Sequence, residues 1–397
     1  MASFKSCSWK DSKLPMSASS SINLASIRQH LHAYPELGLE EIKTAKFLSD
    51  LLLSWGLEVN GNIGGTGIVA SLRRGKSDQA IGLRADMDGL PIDESAQHTY
   101  TSRHKGCMHA CGHDGHMTML LGAAHAMAND PSFNGNVHFI FQPAEENFGG
   151  ARLMIEEGLF DRFPCNYVFA LHNMPGIPLG QLTSRDGTMM ASIDVAGIKI
   201  VGKGGHGAQP ENTIDPIVIG AQIVTAFQSV VSRNINQFEP GVVTVGSFHS
   251  GSASNIIPDH ARLEISLRAT DPVTRTLMIK RIEALASSIA TGFGGSVEFD
   301  WQAGYPVTMN NSNAVQIAKE AAINAFGPDS IELAKNPWMG SEDFSFMLEK
   351  IPGAFLFIGN GDSAPVHNST YDFNDRVIPF GVKFYQSLAH IIFNQVC

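Results

Sequence analysis

Apolar and polar positions recur along this chain with two different periods, and together they predict an ordered series of strands and helices. Glu40 to Trp55 carries apolar side chains at helical spacing, with Gly56 where a C-terminal cap is expected. Four short apolar runs, Ile81 to Ala85, Val137 to Phe141, Tyr167 to Leu171 and Ala354 to Ile358, are bounded by polar or turn residues. They read as buried strands. His113 to Met127 and Gly149 to Glu157 read as intervening helices. Strands alternating with helices predict an α/β domain with a mostly parallel sheet.

The stretch from 191 to 304 follows another order. It reads strand (Ile193 to Val201), helix (Pro216 to Ser232), strand (Val242 to Phe248), strand (Arg262 to Arg268), helix (Pro272 to Thr291), strand (Ser296 to Trp301). Both helices open with Asp-Pro, where Asp suits the N-cap and Pro the first helical position. The order βαββαβ is the ferredoxin-like split βαβ unit. The sequence therefore predicts an inserted α+β domain at 191–304, with the α/β domain formed by 21–190 and 305–397. Residues 1–20 lack an apolar stretch and read as a flexible leader.

Composition narrows the classes. A chain of 397 residues suits two domains, and 43% hydrophobic against 17% charged residues is a globular balance. The formal charge of -10 argues against nucleic acid or an anionic membrane as partner. No run of about 18 apolar residues is present to span a membrane. The five cysteines are odd in number and irregularly spaced, which points to a reducing, cytoplasmic setting and not to a disulfide framework.

Metal-competent residues fall just after the apolar strands. Asp86 and Asp88 follow the first run, Glu145 and Glu146 the second, His172 the third, and His367 the fourth. In open α/β sheets, sites form outside the carboxyl ends of the strands. The segment GCMHACGHDGHM (Gly106 to Met117) adds Cys107, His109, Cys111, His113, Asp114 and His116. Thiolate and imidazole suit zinc or other transition metals. Of two adjacent glutamates, one can face a metal while the other faces the substrate water as a base. His206 sits on a glycine-rich turn in the small domain, and Asn255 and Arg268 are candidates to hold a carboxylate. For these three, structural roles stay open.

Ordered segments along almost the whole chain carry a resemblance: LHAYPELGLEE, RADMDGLPI, MHACGHDGHM, FQPAEE, ALHNMP, GKGGHGAQP, NIIPD, MGSEDFSFM and VHNSTYDFND. They resemble the amidohydrolase branch of the aminoacylase and carboxypeptidase metallopeptidases. This branch includes hippurate hydrolases, N-acyl-amino-acid deacylases and hydrolases of auxin conjugates. The resemblance implies two divalent metals, zinc or manganese with nickel or cobalt as alternatives, held by Cys111, His113, Glu146, His172 and His367, with Cys111 bridging. It implies Glu145 as general base and proton shuttle, and Asp86, or alternatively Asp88, as the supporting acid. It implies that the small domain mediates a homodimer or higher homo-oligomer and lends His206 to the partner's site, while Asn255 and Arg268 grip the carboxylate of a small N-acyl amino acid. One departure is that Gly207 and Glu211 stand where the family has Ala and His. A carboxylate there is expected to disfavour acidic substrates.

Three rivals remain at this level. A metallo-dipeptidase or aminopeptidase would use the same scaffold but hold a free α-amine. A thiol hydrolase would use Cys111 beside His113. A non-catalytic metal-binding scaffold would have no need of Glu145.

Overall fold

The computed structural model describes residues 22–394; the leader expected at 1–20 lies outside them. An eight-stranded sheet forms the centre of the larger unit. Its order is Glu58–Ile63, Gly67–Arg74, Gly135–Gln142, Ala80–Asp86, Tyr167–Pro175, Gly353–Gly361, Leu182–Ser184 and Ile331–Leu333. The four central strands run parallel. The Glu58–Ile63 and Gly67–Arg74 hairpin adds an antiparallel edge.

The central strands are apolar on both faces because helices cover both. Along Tyr167–Pro175, Phe169 and Leu171 join one core with Leu120, Phe139, Phe384 and Leu388. Val168 and Ala170, pointing the other way, join a second core with Met154, Leu159, Phe344 and Phe355. The edge hairpin was not foreseen. Its outer strand, Glu58–Ile63, is largely polar and exposed, so it carries no apolar run to announce it.

The inserted unit is a four-stranded antiparallel sheet in the order Gly241–Ser250, His260–Ala269, Ser192–Val201, Ser296–Tyr305. With helices Pro216–Asn234 and Pro272–Gly292 it has the split βαβ arrangement. Both helix starts behave as their sequence dictates: Asp215 accepts the Ile217 N–H at 2.8 Å and Asp271 accepts the Thr274 N–H at 2.7 Å. Burial alternates residue by residue along Ser192–Val201 and His260–Ala269, since one face packs on the helices. A small ribbon of Gly187–Met190 with Thr308–Asn310 lies where the chain leaves and re-enters the larger unit. Among the described residues, no helix is long and apolar enough to cross a membrane.

Candidate metal centre

The carboxyl ends of the central strands bring the candidate side chains to one rim. Asp86 is the last residue of Ala80–Asp86, and Glu145 and Glu146 follow Gly135–Gln142 in a short turn. His172 lies inside its strand and not after it, because pairing with Gly353–Gly361 carries that strand on to Pro175. Cys111 and His113 flank Gly112, which caps helix His113–Ala128 at φ 88°. A Cβ on Gly112 would lie 2.1 Å from Asn173 Oδ1, so only glycine fits this turn. His367 sits in the loop beyond Gly353–Gly361 at φ 63°, and its N–H donates to the Ala110 carbonyl at 2.8 Å.

These residues form two overlapping groups. Cys111, His113 and His172 offer ligand atoms within 4.8 Å of one another, and so do Cys111, Glu146 and His367. Cys111 belongs to both. Its Sγ is 3.4 Å from His172 Nε2, while His367 Nε2 is 3.2 Å and His113 Nε2 3.9 Å from Glu146 Oε1. Glu145 joins a third group with His113 and Glu146.

The chemistry of this set fits a cation. His113 Nε2 and Glu146 Oε1 are buried and make no well-formed hydrogen bond, although His367 Nε2 lies 3.2 Å from the latter. Each such atom costs about 1–3 kcal/mol unless something compensates it. Burial pushes the Cys111 thiol well up, and Glu146, Glu145 and Asp86 push it further. Burial likewise lifts the Glu145 carboxyl, helped by Glu342, Glu146, Asp343 and Asp88. His172 is driven well below its ordinary value by burial and by His116. Burial opposes charge on His113, yet Asp86, Asp88 and Glu146 lift it to about 10. A pocket that resists anions and recruits protons is one that positive charge would relieve.

Behind the rim is a buried charge network. Fully buried Arg84 donates to Gln142 Oε1 at 2.8 Å, Asp86 Oδ2 at 2.7 Å, Glu342 Oε1 at 2.8 Å and Asp343 Oδ1 at 3.0 Å. Asp86 also lies 2.6 Å from His116 Nδ1, and the Asn173 N–H donates to His116 Nε2 at 2.9 Å. Burial works against the Asp86 anion, but His113, His116 and Arg84 hold its carboxyl well below the usual range. Asp88 lies 3.2 Å from His113 Nδ1 and accepts the Glu146 N–H at 3.0 Å. Asp88 therefore orients the candidate ligand, and Asp86 braces His116 and Arg84.

A family model for peptidase family M20/M25/M40 matches residues 82–390. The chain belongs to this family. It is 44% identical over 363 residues to a hippurate hydrolase of Campylobacter jejuni, covering 91% of this chain and 94% of that one. It is 37% identical to an N-acetyl-L-cysteine deacetylase of Bacillus subtilis, covering 93% of this chain and 88% of the relative. Among solved structures, a dinuclear metal-binding M20 peptidase of Bacillus subtilis superposes with a TM-score of 0.82 at 30% identity, over 94% of this chain and 98% of that one.

Other candidates in this M20 chain are placed differently. Gly205–His206 pairs with Ile256–Ile257, and the Gly207 N–H donates to the Asn255 carbonyl at 2.8 Å. His206 and Asn255 are thus neighbours, but both are exposed. No hydrogen bond, ion pair or ring contact joins either to the rim among the described residues. Glu211 is exposed in the turn Pro210–Asn212. Half-buried Arg268 donates to the Met339 carbonyl at 2.9 Å, bridging the inserted unit to the MGSEDFSFM segment. That segment supplies Glu342 and Asp343, to which sequence reasoning gave no role. They lie within MGSEDFSFM, outside the strand ends that carry the other acidic groups. His116 was visible in its cluster, but nothing in the spacing marked it as the partner of Asp86.

Proposed function

We propose that this M20 protein is a dinuclear metal-dependent amidohydrolase. It cuts the amide bond of N-acyl amino acids, of the hippurate or N-acetyl type, and releases a carboxylic acid and a free amino acid. The observation that carries this reading is the buried Glu145 carboxyl beside two ligand groups that share Cys111. The named activities of the hippurate hydrolase and the N-acetyl-L-cysteine deacetylase support the substrate class.

Cys111, His113 and His172 would hold one ion; Cys111, Glu146 and His367 the other; zinc, manganese, nickel and cobalt all suit such donors. Bound divalent ions supply Lewis acidity, which polarises the scissile carbonyl and acidifies water. Glu145 takes the proton of the attacking water on a carboxylate oxygen and delivers it to the departing nitrogen. Asp88 fixes the His113 ring through Nδ1 so that Nε2 faces the site. Asp86 anchors His116 and Arg84 and keeps the rim in register.

Arg268 and Asn255 grip the substrate carboxylate, where the planar guanidinium suits two oxygens. His206, exposed in its own chain, reaches an active site through another placement of the inserted unit or from a partner subunit in a homodimer. Glu211, close to His206 in the chain, disfavours acidic substrates. The protein works in a reducing, cytoplasmic setting.

The thiol-hydrolase rival is weakened by the site's charge. A nucleophilic thiol needs its anion favoured, whereas burial and the carboxyls of Glu146, Glu145 and Asp86 push the Cys111 thiol well up even with His113 nearby. The test is hydrolysis of N-acetyl, N-benzoyl and N-indoleacetyl amino acids beside free dipeptides, with chelator and with metal restored. Turnover of acyl amino acids that chelation abolishes and metal restores is expected. Turnover of free dipeptides alone would replace this reading with a peptidase. Turnover that survives chelation but not thiol alkylation would replace it with the thiol hydrolase.

A further inference from the structure

The turn that carries Glu145 is gripped by a buried carboxylate with no place in the reaction above. Glu41 immediately precedes helix Ile42–Ser54 and is fully buried. Its Oε1 accepts the Ala144 N–H at 2.9 Å, across 103 residues of sequence, and its Oε2 accepts the Thr66 hydroxyl at 2.6 Å. Ala144 has φ 52°. An L-residue with a Cβ disfavours this left-handed region, and it persists only where the surroundings fix it.

The two residues after Ala144 are Glu145 and Glu146, so the Ala144 dihedrals set the direction in which both carboxylates leave the chain. The flanks are held separately. The Gly150 N–H donates to the Ala144 carbonyl at 3.1 Å, the Tyr305 hydroxyl donates to the Glu145 carbonyl, and Asp88 accepts the Glu146 N–H. Among the described residues, Glu41 alone accepts the Ala144 N–H. The segment before Glu41 also lies hard against the turn: a Cβ on Gly38 would be 3.1 Å from both Ala144 Cα and Cβ. Burial, opposed by the hydrogen bonds from Thr66 and Ala144, lifts the Glu41 carboxyl to about 7. A carboxylate kept under that pressure needs a reason beyond filling space.

We propose that Glu41 is a positioning residue: its side chain holds Ala144 in the left-handed conformation that aims Glu145 at the substrate water and Glu146 at the metal site. This rests on the reading of Glu145 as proton carrier. A merely structural Glu41, tying Thr66 to the helix start, would change stability and leave turnover intact.

The full-length variants Glu41→Leu, Glu41→Gln, Glu41→Asp and Glu41→Leu with Ala144→Gly separate the two. At saturating metal, Glu41→Leu is expected to lower kcat about 10²-fold, as misplacement by about 1 Å does, with KM close to wild type and more metal needed for saturation because Glu146 is displaced too. Glu41→Gln keeps an acceptor oxygen and should retain near wild-type kcat. Adding Ala144→Gly to Glu41→Leu should recover part of the loss, because glycine takes the left-handed region without steric cost. Should Glu41→Leu fail to fold, Glu41→Asp carries the test: its shortened carboxylate cannot span Thr66 and Ala144, so kcat falls while KM holds. Full kcat in the folded leucine or aspartate variant, or no recovery with Ala144→Gly, overturns the proposal. Should the wild-type protein hydrolyse no acyl amino acid, the function reading falls, and crystal structures still decide this one. An Ala144 that keeps its φ, with Glu145 unmoved, in the leucine or aspartate variant would overturn it too.

Discussion

At the rim of the eight-stranded sheet most candidate side chains are buried or half-buried and braced, with His367 exposed at its edge, whereas in the inserted unit both His206 and Asn255 stand in solvent. Cys111, His113 and Glu145 are each less than a tenth exposed, and behind them Arg84 is tied to four side chains. The His206 ring, by contrast, accepts one bond at Nδ1, from the Ala208 N–H at 3.0 Å. The difference is one of preorganisation. The rim holds its geometry before any substrate arrives, as hydrolysis of a stable amide requires. The His206 loop carries no such bracing among the described residues.

Four measurements can break or sharpen that contrast, from the largest expected effect downward. Glu145→Gln should lower kcat about 10²–10⁴-fold, as loss of a general acid–base does, with metal content unchanged. Metal titration and steady-state kinetics on the same preparation check this; a variant that turns over normally removes the catalytic reading of the rim. Arg84→Met should cost about 3–5 kcal/mol, because Asp86, Glu342 and Asp343 would be left buried without their cation. Urea denaturation reads it, and an unchanged midpoint would show that the network does not hold the rim in place.

The third concerns pH. His32 lies 2.8 Å from Asp114 Oδ2 and 3.1 Å from Glu94 Oε1, with Arg28 and His98 also facing it. Burial opposes its charge, but Asp114 and Glu94 prevail and raise it from 6.5 to about 9. A raised histidine stabilises the fold fully below its unfolded value, and that stability is lost as pH rises through about 9. The window lies between about pH 6.5 and pH 9, and the effect is at most roughly 3 kcal/mol. Denaturation midpoints across this window should fall for the wild type and stay flatter for His32→Gln. The smallest effect belongs to the inserted unit. His206→Ala should lower kcat/KM about tenfold, about 1.4 kcal/mol, and change stability by no more than about 0.5 kcal/mol, as exposed sites do. A large loss of Tm would show that the loop is braced after all, and the contrast would fail.

Much of the catalytic unit was legible because burial leaves a mark in sequence. Ile81 to Ala85 and Ala354 to Ile358 read as strands since both faces are covered and most residues are apolar. The inserted unit was legible through Asp-Pro starts and alternating strands. Polar edges were not: Glu58–Ile63 pairs through its backbone, which any sequence can do. The role of Asp88 was also hidden. It and Asp86 are two apart on one segment, and no spacing rule says which reaches His113 and which reaches Arg84.

The sequence by itself determined which residue types stand at the ends of the apolar strands, and therefore that imidazole and carboxylate groups gather on one rim. That follows from local periodicity and from the rule that parallel strands present their carboxyl ends together. Only the tertiary structure decided that Glu41 reaches Ala144 and that Arg84 joins Asp86 to Glu342 and Asp343. Those contacts join residues as many as 259 positions apart. They depend on the crossing of whole elements, and no local preference of the chain encodes the separation of two side chains brought together by folding.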